Sequence, residues 1–424
     1  MQDQCDRGAR ASARVKAAFK APFRAWKNDF GHVSCVSSRI RCAARVRSGV
    51  ASYIGVAVDE AIGSYLGKMS QRIYLDHAAT TPILPEARDA MARAMEQWAN
   101  PSSPHAEGRA ARSVLEQARK TIAEVLGWRH DVIFTSGASE SVEMATARAK
   151  VPGRGYGATE HPIVGHAMGS KARVLPVRAD GLIDEPALEA FLAEGPALIA
   201  IQQVNNETGV IQPLDRLSAA IREAGSLLLA DCAQSAGKLP LPDADFIAAC
   251  AHKLGGPPGI GVLLVRDLAT LHAVGGQEQG YRRGTQDAPA AAAFATALAA
   301  RPYDMERLVA LRRRLEEGVV AHGGSIIAAD SPRIATIGAI SLSGASNASL
   351  LVQFDLAGFA VSAGSACSSG KMKKSAVLAA MGVTQELADG FLRVSFGPST
   401  TEADVDAFLS EWQRIAGRAS AEAA

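Results

Sequence analysis

From residue 72 onward, short apolar runs alternate with amphipathic segments of helical period, and this alternation restricts the fold more than any other feature. The amphipathic segments include ARSVLEQARKTIAEVLG and PLDRLSAAIREAG. Alternation of buried strands with helices predicts an α/β fold, with a mostly parallel sheet covered by helices on both faces. The runs predicted to be its strands are DVIFTSG, ALIAIQQV, SLLLADCAQ, DFIAACAHK and GVLLV.

The pattern changes after a long helical stretch that follows these strands. ATIGAISLSG and LRVSFGP predict strands of a separate, smaller α+β unit. We therefore expect a large domain over residues 72–315 and a small domain over residues 316–424, with segment 72–85 packing on the small domain. Helices of the small domain are predicted near residues 347–358, 374–381 and 402–417.

Residues 1–68 differ in composition from the rest of the chain. They carry 12 Lys and Arg against 5 Asp and Glu, whereas the remaining residues carry 33 against 38. An Arg-, Ala- and Ser-rich stretch that is poor in acids is typical of an organelle transit peptide. We favour a dispensable, disordered extension instead, because Met69 directly precedes the patterned sequence and would be a natural start. That interpretation predicts a cytoplasmic location, and the transit peptide predicts organellar import.

Composition also excludes several classes of function. The body is mildly acidic and has no basic stripe interleaved with aromatic residues, so no nucleic-acid partner is expected. No apolar run approaches the ~20 residues of a membrane helix, and the best candidate is broken by Asp59 and Glu60. The cysteines show no CxxC or paired-ligand spacing, which predicts no metal site, no disulfide framework and a reducing compartment. They lie at positions 5, 35, 42, 232, 250 and 367.

Small and polar residues gather at the predicted strand ends, which is where ligands bind in parallel sheets. In FTSGASES, a strand ends at Thr135 and small residues lead into a helix over 140–149. Such a helix start binds anions, because its free N–H groups and its dipole point at the ligand. The motif is weak alone, since many such turns bind nothing.

Asp231 and Lys253 each follow an apolar strand, and Lys253 stands next to His252. A buried carboxylate or lysine is costly unless it has a partner of opposite charge or a reaction to perform. An isolated aspartate here would indicate a helix cap or a loop ion pair. Pyridoxal 5′-phosphate, however, uses a lysine as its Schiff-base partner together with an aspartate at its ring nitrogen. With the anion-binding turn, this pair predicts a pyridoxal-phosphate site.

Nine motifs together resemble the signatures of the cysteine desulfurases, pyridoxal-phosphate enzymes of the class-V aminotransferase group, in the branch that serves iron–sulfur cluster and nitrogenase assembly. The resemblance covers residues 72–415 and implies a homodimer with an aspartate-aminotransferase-like fold (PLP fold type I). The motifs are IYLDHAATTP, NPSSPHAEGR, FTSGASES, VNNETGVIQP, DCAQSAGKLP, AHKLGGPPGIG, GGQEQGYRRGT, SAGSACSSG and LRVSFGP.

The resemblance implies a role for each matching residue. Lys253 would hold the cofactor covalently, His161 would stack on its ring, and Asp231 would pair with the ring nitrogen. Cys250 departs from the family, whose members commonly have serine at this position near the phosphate. Further cofactor contacts are implied for Gln234 at the phenolic oxygen, for Ala138, Ser139 and His252 at the phosphate, for Asn206 beside the ring, and for Thr285 at the phosphate of the neighbouring subunit.

Cys367 lies in the small-residue stretch SAGSACSSG. The resemblance implies that Arg393, assisted by Asn100, binds the carboxylate of L-cysteine, for which a planar guanidinium is well suited. The Cys367 thiolate would then take the substrate sulfur as a persulfide and leave L-alanine. A sulfur-acceptor or iron–sulfur scaffold protein would receive that sulfur. Cys232 and Cys250 lie in apolar strand contexts and are expected to be inert.

Three alternatives remain open from the sequence. A selenocysteine lyase or a class-V aminotransferase would share the fold, although an aminotransferase needs no thiol at position 367. A catalytically inactive platform for sulfur-transfer partners would belong to a different class, and the joint presence of Lys253, His161, Asp231 and Cys367 argues against it. KMKKSAV, just behind the cysteine, replaces a segment that is acidic and contains proline in relatives, so the partner surface is expected to differ.

Overall fold

The computed structural model describes residues 72–364 and 374–423. The predicted 1–68 extension and Cys367 therefore lie outside the described residues. The strands of the described part, in chain order, are β1 (Ile73–Tyr74), β2 (Asp131–Thr135), β3 (Gly153–Gly157), β4 (Arg173–Leu175), β5 (Ala197–Ala200), β6 (Leu227–Asp231), β7 (Phe246–Cys250), β8 (Gly261–Val265), β9 (Ser325–Ile326), β10 (Ile337–Ser341), β11 (Phe359–Ala360) and β12 (Phe391–Ser395).

A seven-stranded sheet in the order β2-β8-β7-β6-β5-β3-β4 contains all five of the predicted apolar strands. Its strands are parallel except β8, which is antiparallel to both of its neighbours, β2 and β7. The prediction of a mostly parallel sheet is therefore confirmed. Because β5, β6 and β7 are parallel neighbours, the residues that follow them meet at one edge of the sheet.

Several helices of the described part were predicted from the period of their apolar residues. The three helices predicted in the C-terminal part are found at 347–356, 376–380 and 402–423. In chain order the helices are α1 (Pro85–Met95), α2 (Ala106–Leu126), α3 (Ala138–Arg148), α4 (Pro162–Met168), α5 (Glu185–Leu192), α6 (Leu214–Glu223), α7 (Ala288–Ala299), α8 (Met305–Ala321), α9 (Asn347–Leu356), α10 (Ala376–Ala380), α11 (Gln385–Asp389) and α12 (Glu402–Ala423).

Both faces of the seven-stranded sheet are covered, as the apolar strands require. On one face α3 and α4 pack against alternate strand residues such as Leu198 and Ala248. On the other face α2, α6 and α7 pack against the intervening residues, such as Ile199 and Ile247. This alternation follows from the two-residue period of a strand, which sends successive side chains to opposite faces.

Two smaller sheets involve the C-terminal part of the chain. β12, β10 and β9 form an antiparallel sheet, and β1 pairs in parallel with β11. Segment 72–85 thus contacts residues near 360 and 395, since Asp76 also bridges to Ser395. Residues 72–424 form one compact unit, and the division at residue 315 stays a prediction. No helix among the described residues is long and apolar enough to cross a membrane.

β3 was not predicted, because its sequence, GRGYG, contains no apolar run. It is nevertheless an interior strand, between β4 and β5. A Cβ atom on Gly155 would lie 2.5 Å from Cε1 of Phe191, so α5 packs directly on the strand backbone. The glycine is explained by this close approach rather than by a turn.

Candidate active site

Asp231 and Lys253 lie at the same edge of the large sheet. Asp231 ends β6 and pairs with Ala248 of the parallel neighbour β7, while Lys253 comes shortly after Cys250, the last residue of β7. The Asp231 carboxylate accepts the N–H of Ala233 at 2.8 Å. Within the described residues neither Asp231 nor Lys253 forms an ion pair. A carboxylate and an amine therefore stand at neighbouring strand ends without pairing, which suits a ligand that engages both.

Two histidines lie at this edge. His161 is the N-cap of α4, and its Nδ1 accepts the N–H of Ile163 at 3.3 Å. Burial lowers the pKa of His161, Asp231 opposes that change, and Lys253 adds to it. Burial, together with Lys253 and Lys238, lowers the pKa of His252 to about 4. Both imidazole rings are therefore mainly uncharged at neutral pH.

The turn between β2 and α3 presents free backbone N–H groups. α3 begins at Ala138 after the N-cap Gly137, and no side chain caps it. The hydroxyls of Thr135 and Ser141, 2.9 Å apart, brace the turn from inside. A Cβ atom on Gly261 would lie 2.6 Å from Cα of Gly137, so the backbone of β8 packs directly against the turn. Ala138 and Ser139 thus lie at a helix start that suits a phosphate or another anion.

Arg393 lies on β12 and is only 4% exposed. Its Nη2 donates to Oδ1 of Asp76 at 2.7 Å, and its Nη1 donates to the carbonyl oxygen of Asn206 at 2.8 Å. Its Nε is buried and has no partner among the described residues. The proposed carboxylate-binding residue is therefore oriented by Asp76 and retains an unused donor. The contact with Asp76 could not be predicted from local pattern, because the two residues lie 317 positions apart.

Gln234 is buried directly after β6. Its Nε2 donates to the carbonyl oxygen of Ala78 at 2.9 Å, and its Oε1 has no partner among the described residues. Gln234 and the Arg393–Asn206 pair are thus each linked to the segment that follows β1, through Ala78 and Asp76.

Asn100 and Thr285 lie together in one groove, whose described lining contains neither Asp231 nor Lys253. Both line an open groove that also contains Met95 and Trp98, whose exposed fractions are 62% and 81%. Neither side chain makes a hydrogen bond to the described residues around Asp231 and Lys253. Among the described residues, therefore, no side-chain hydrogen bond links these two predicted residues to Asp231 or Lys253.

Glu207 is a buried acidic residue close to the segment that contains Cys367. It is 3% exposed, and one carboxylate oxygen accepts a hydrogen bond from Ser375 at 2.6 Å. Burial raises the pKa of Glu207, while Ser375 and Arg393 oppose that change. A Cβ atom on Gly364 would lie 3.0 Å from the same oxygen. Glu207 thus contacts both described ends of the segment that contains Cys367.

Cys232 and Cys250 are fully enclosed by protein. Cys232 is 0% exposed and its thiol lies 3.4 Å from Oε1 of Gln203. Burial raises the pKa of both thiols, although the charge of Lys253 opposes this change at Cys250. Neither thiol is therefore an accessible thiolate in the folded protein.

Sequence reasoning missed two residues that hold the Lys253 backbone, Thr81 and Tyr303, which we call the lysine clamp, and a third residue, Lys238, that lies over the Tyr303 ring. The hydroxyls of Thr81 and Tyr303 lie 2.8 Å apart, and they donate to the carbonyl oxygen of Lys253 at 3.3 and 3.1 Å. Nζ of Lys238 lies 4.6 Å from the centre of the Tyr303 ring. Burial and the charge of Lys253 lower the pKa of Lys238 to about 7. Thr81, inside DHAATTP, and Lys238, inside DCAQSAGKLP, lie in motifs that could have pointed to these residues, whereas Tyr303 lies in none of the nine motifs.

Comparison with known proteins gives the class to which this fold and site belong. The family model for aminotransferase class-V matches residues 73–408. The chain therefore belongs to the class-V aminotransferase family. Among solved structures, a NifS-like protein from Rickettsia africae has a TM-score of 0.73 at 28% identity, covering 81% of this chain and 99% of that protein. The aspartate-aminotransferase-like fold predicted from the motifs is thereby confirmed.

Curated relatives define the branch more narrowly, as cysteine desulfurases. An IscS-like cysteine desulfurase of Mycobacterium tuberculosis is 39% identical over 79% of this chain and 94% of the relative. A human cysteine desulfurase is 32% identical, with 83% of each chain covered. A solved structure described as SspA in complex with cysteine has a TM-score of 0.67 at 29% identity, covering 78% of this chain and all of that one.

Proposed function

We propose that this chain is a pyridoxal-phosphate-dependent L-cysteine desulfurase that collects sulfur as a persulfide on Cys367. The observation that carries the proposal is the placement of Asp231 and Lys253 at neighbouring strand ends, without an ion pair, beside an uncapped helix start. The similarity to a protein solved with cysteine supports L-cysteine as the substrate.

The residues present fit the cofactor. A carboxylate at Asp231 matches a protonated ring nitrogen, the amine of Lys253 matches an aldehyde, and the free N–H groups at Ala138 and Ser139 match a phosphate. The unpartnered Oε1 of Gln234 marks a buried amide end with hydrogen-bonding capacity to spare. The remaining proposed contacts are His161 at the ring face, Asn206 beside the ring, and His252 with Cys250 near the phosphate.

When bound, pyridoxal phosphate supplies an electron sink that stabilises negative charge at the substrate α-carbon. The amine of Lys253 is suited to hold the cofactor and to remove the proton from that carbon. Arg393 binds the substrate carboxylate through donors that Asp76 and Asn206 leave free. The uncharged ring of His161 can lie against the cofactor without adding a second cation beside Lys253.

Sulfur transfer is assigned to Cys367. Its thiolate forms a bond to the substrate sulfur while the Cβ–S bond breaks, and the electron pair of that bond stays with the carbon skeleton. Proton uptake at that carbon releases L-alanine and leaves Cys367 as a persulfide, so no outside oxidant is needed. The persulfide sulfur then passes to an acceptor, which we propose is an iron–sulfur scaffold or another sulfur-accepting protein in the cytoplasm.

A homodimer completes the proposed site. Thr285 and Asn100 lie in a groove with the exposed Trp98, and Thr285 makes no hydrogen bond to the described residues around Lys253. In a dimer, Thr285 would instead contact the phosphate bound by the second copy. Burial of Trp98 and Met95 between copies would also remove a large exposed apolar surface from water.

The experiment that tests this function measures alanine release from L-cysteine, with mass spectrometry of the Cys367 peptide. We expect the purified protein to be yellow, Lys253→Ala to lose the colour, and Cys367→Ser to keep the colour but release no sulfide or alanine. Cys232→Ala, which removes a buried thiol outside the site, is the matched control. Normal sulfide release by Cys367→Ser would disprove the assignment of the nucleophile. Alanine release from selenocysteine but not from cysteine would favour a selenocysteine lyase.

A further inference from the structure

The segment between β8 and α7 contains a buried acidic residue in a strained backbone. Glu278 has φ 51° and Gln279 has φ 55°, in the left-handed region that residues other than glycine rarely adopt. Glu278 is only 5% exposed. Strain of this kind persists only where surrounding contacts hold it in place. We call residues 277–286, which contain Thr285, the arm.

The Glu278 carboxylate fixes the arm to the strand that leads into the phosphate turn. Its Oε2 accepts the N–H of Phe134, in β2, at 2.8 Å. Arg119 of α2 donates to both carboxylate oxygens, at 2.8 and 3.1 Å, and Gln286 donates to Oε1 at 2.8 Å. Each carboxylate oxygen therefore has two donors, so the buried charge is fully satisfied.

A second carboxylate makes an equivalent connection on the other side of the turn. Glu140, in the first turn of α3, accepts the N–H of Ser136 and pairs with Arg282 of the arm, whose Nε lies 2.8 Å from Oε1. Burial would raise the pKa of Glu140, but Arg282 and Ser136 lower it below its ordinary value. Glu140 is therefore ionised at neutral pH and can hold Arg282 as an ion pair.

We propose that Glu278 and Glu140 are positioning residues that join the phosphate turn to the arm, and thereby set how tightly the phosphate of the cofactor is held. The proposal rests on the proposed function and adds to it the residues that act on the phosphate without contacting it. One carboxylate holds Phe134 and the other holds Ser136, so the two tethers bracket the turn. Each also holds the arm, at Gln286 or at Arg282.

This role predicts a loss of affinity that depends on the phosphate group. Releasing a tether would let the helix start and Thr285 depart from their binding geometry, so pyridoxal phosphate would bind more weakly. Pyridoxal, which has the same ring and aldehyde but no phosphate, would not use these groups. A general loss of folding would weaken both ligands alike, and the ratio of the two affinities therefore separates positioning from folding.

The test uses the full-length chain stripped of cofactor, titrated with pyridoxal phosphate and separately with pyridoxal, and followed by absorbance. We expect Glu278→Gln and Arg282→Ala each to raise the Kd for pyridoxal phosphate about tenfold, the effect of ~1.4 kcal/mol. The Kd for pyridoxal should stay within about twofold of the unmodified chain. Glu194→Gln, which removes an exposed pair with Arg173 at 2.9 Å, is the matched control and should change neither.

If Glu278→Gln does not fold, Arg282→Ala alone is sufficient for the test. The Glu140–Arg282 pair is partly exposed, so we expect its loss to be tolerated by the fold. Equal weakening of both ligands in Arg282→Ala, or no weakening of either, would overturn the proposal. If the unmodified chain bound neither ligand, the proposed function itself would fail, and that result is distinct from failure of the positioning role.

Discussion

At the scale of single residues, burial makes both described cysteines inaccessible. Cys232 and Cys250 are 0% and 3% exposed, and burial raises the pKa of each thiol. Their burial agrees with the apolar strand contexts in which both stand, and their inertness stays a prediction. The sequence did not show that the charge of Lys253 partly offsets the rise that burial causes in the pKa of the Cys250 thiol.

We predict that iodoacetamide leaves Cys232 and Cys250 of the native protein unmodified, since alkylation needs an accessible thiolate. Mass spectrometry of tryptic peptides, with and without guanidinium during labelling, measures this. The denatured chain is the control and should be labelled at both positions. Native labelling at either residue as fast as in denaturant would contradict the buried thiols described here.

Gly397 is a second residue whose surroundings limit substitution, because they leave no space for a side chain. A Cβ atom there would lie 2.1 Å from Cε1 and Nδ1 of His77, which is 3% exposed. We predict that Gly397→Ala lowers the free energy of unfolding by ~1–3 kcal/mol, the usual cost of overpacking. Chemical denaturation of the variant and the unmodified protein measures this change in the free energy of unfolding.

The control for this substitution is Gly417→Ala, because nothing lies within 4 Å of a Cβ atom at Gly417 in helix α12. Alanine should be neutral or stabilising there, by up to ~1 kcal/mol, since it is the better helix former. Equal stability of the Gly397 and Gly417 variants would show that His77 does not pack against Gly397 as described.

At the scale of elements, the segment after β1 is fastened to the turn after β7. The N–H of Thr81 donates to the carbonyl oxygen of His252 at 2.7 Å, and the N–H of Leu84 donates to that of Gly255 at 2.8 Å. With the lysine clamp, these bonds hold the His252–Lys253 peptide from one side. The two segments lie 172 positions apart in the chain, so no local pattern could have predicted their contact.

We predict that Thr81→Val lowers the free energy of unfolding by ~1–3 kcal/mol, because it leaves the buried Tyr303 hydroxyl without one of its partners. Thr121→Val is the matched control, since Thr121 makes only an exposed 3.4 Å contact with Gln117. Urea denaturation of both variants measures the difference, and a Thr81 variant as stable as the Thr121 variant would count against the clamp.

At the scale of the whole molecule, two buried histidines make the free energy of unfolding fall as the pH falls below neutral. Burial and Lys238 lower the pKa of His77 from 6.5 to about 4, and the pKa of His252 is also lowered to about 4. Between these values and 6.5 the unfolded chain binds protons that the folded chain does not, so stability falls as the pH falls through that range. Glu160 and Glu207, whose pKa values are raised by burial, act in the opposite direction.

We predict that His77→Gln reduces the loss of unfolding free energy between pH 7 and pH 5 by about 2 kcal/mol, since His77 no longer titrates. Urea titrations at the two pH values measure this loss in each protein. His166→Gln, at an exposed histidine in the last turn of α4, is the control. The same pH dependence in all three proteins would rule out His77 as a contributor.

Much of the architecture was predictable because it depends on local pattern. Apolar runs identified the strands of the large sheet apart from β3 and β4, and the motifs identified the family. Contacts between distant segments were not predictable. Phe134 and Glu278, which share a hydrogen bond, lie 144 positions apart in the chain. Arg393 and Asp76, which form an ion pair, lie 317 positions apart and come together only when β12 and β1 are folded. Thr285 was assigned by resemblance alone, and its role stays a prediction.

The pairing of β1 with β11 has a consequence for how the protein is made. Ile73 and Leu75 donate to the carbonyl oxygens of Gly358 and Ala360, and the N–H of Ala78 donates to Ser395. During synthesis these early residues must wait for almost the entire remaining chain to leave the ribosome. Thr81, which holds the Lys253 peptide, belongs to the same segment, whose partners are synthesised late. A chain released before residue 358 would contain the strands of the large sheet, yet β1 would have no strand with which to pair.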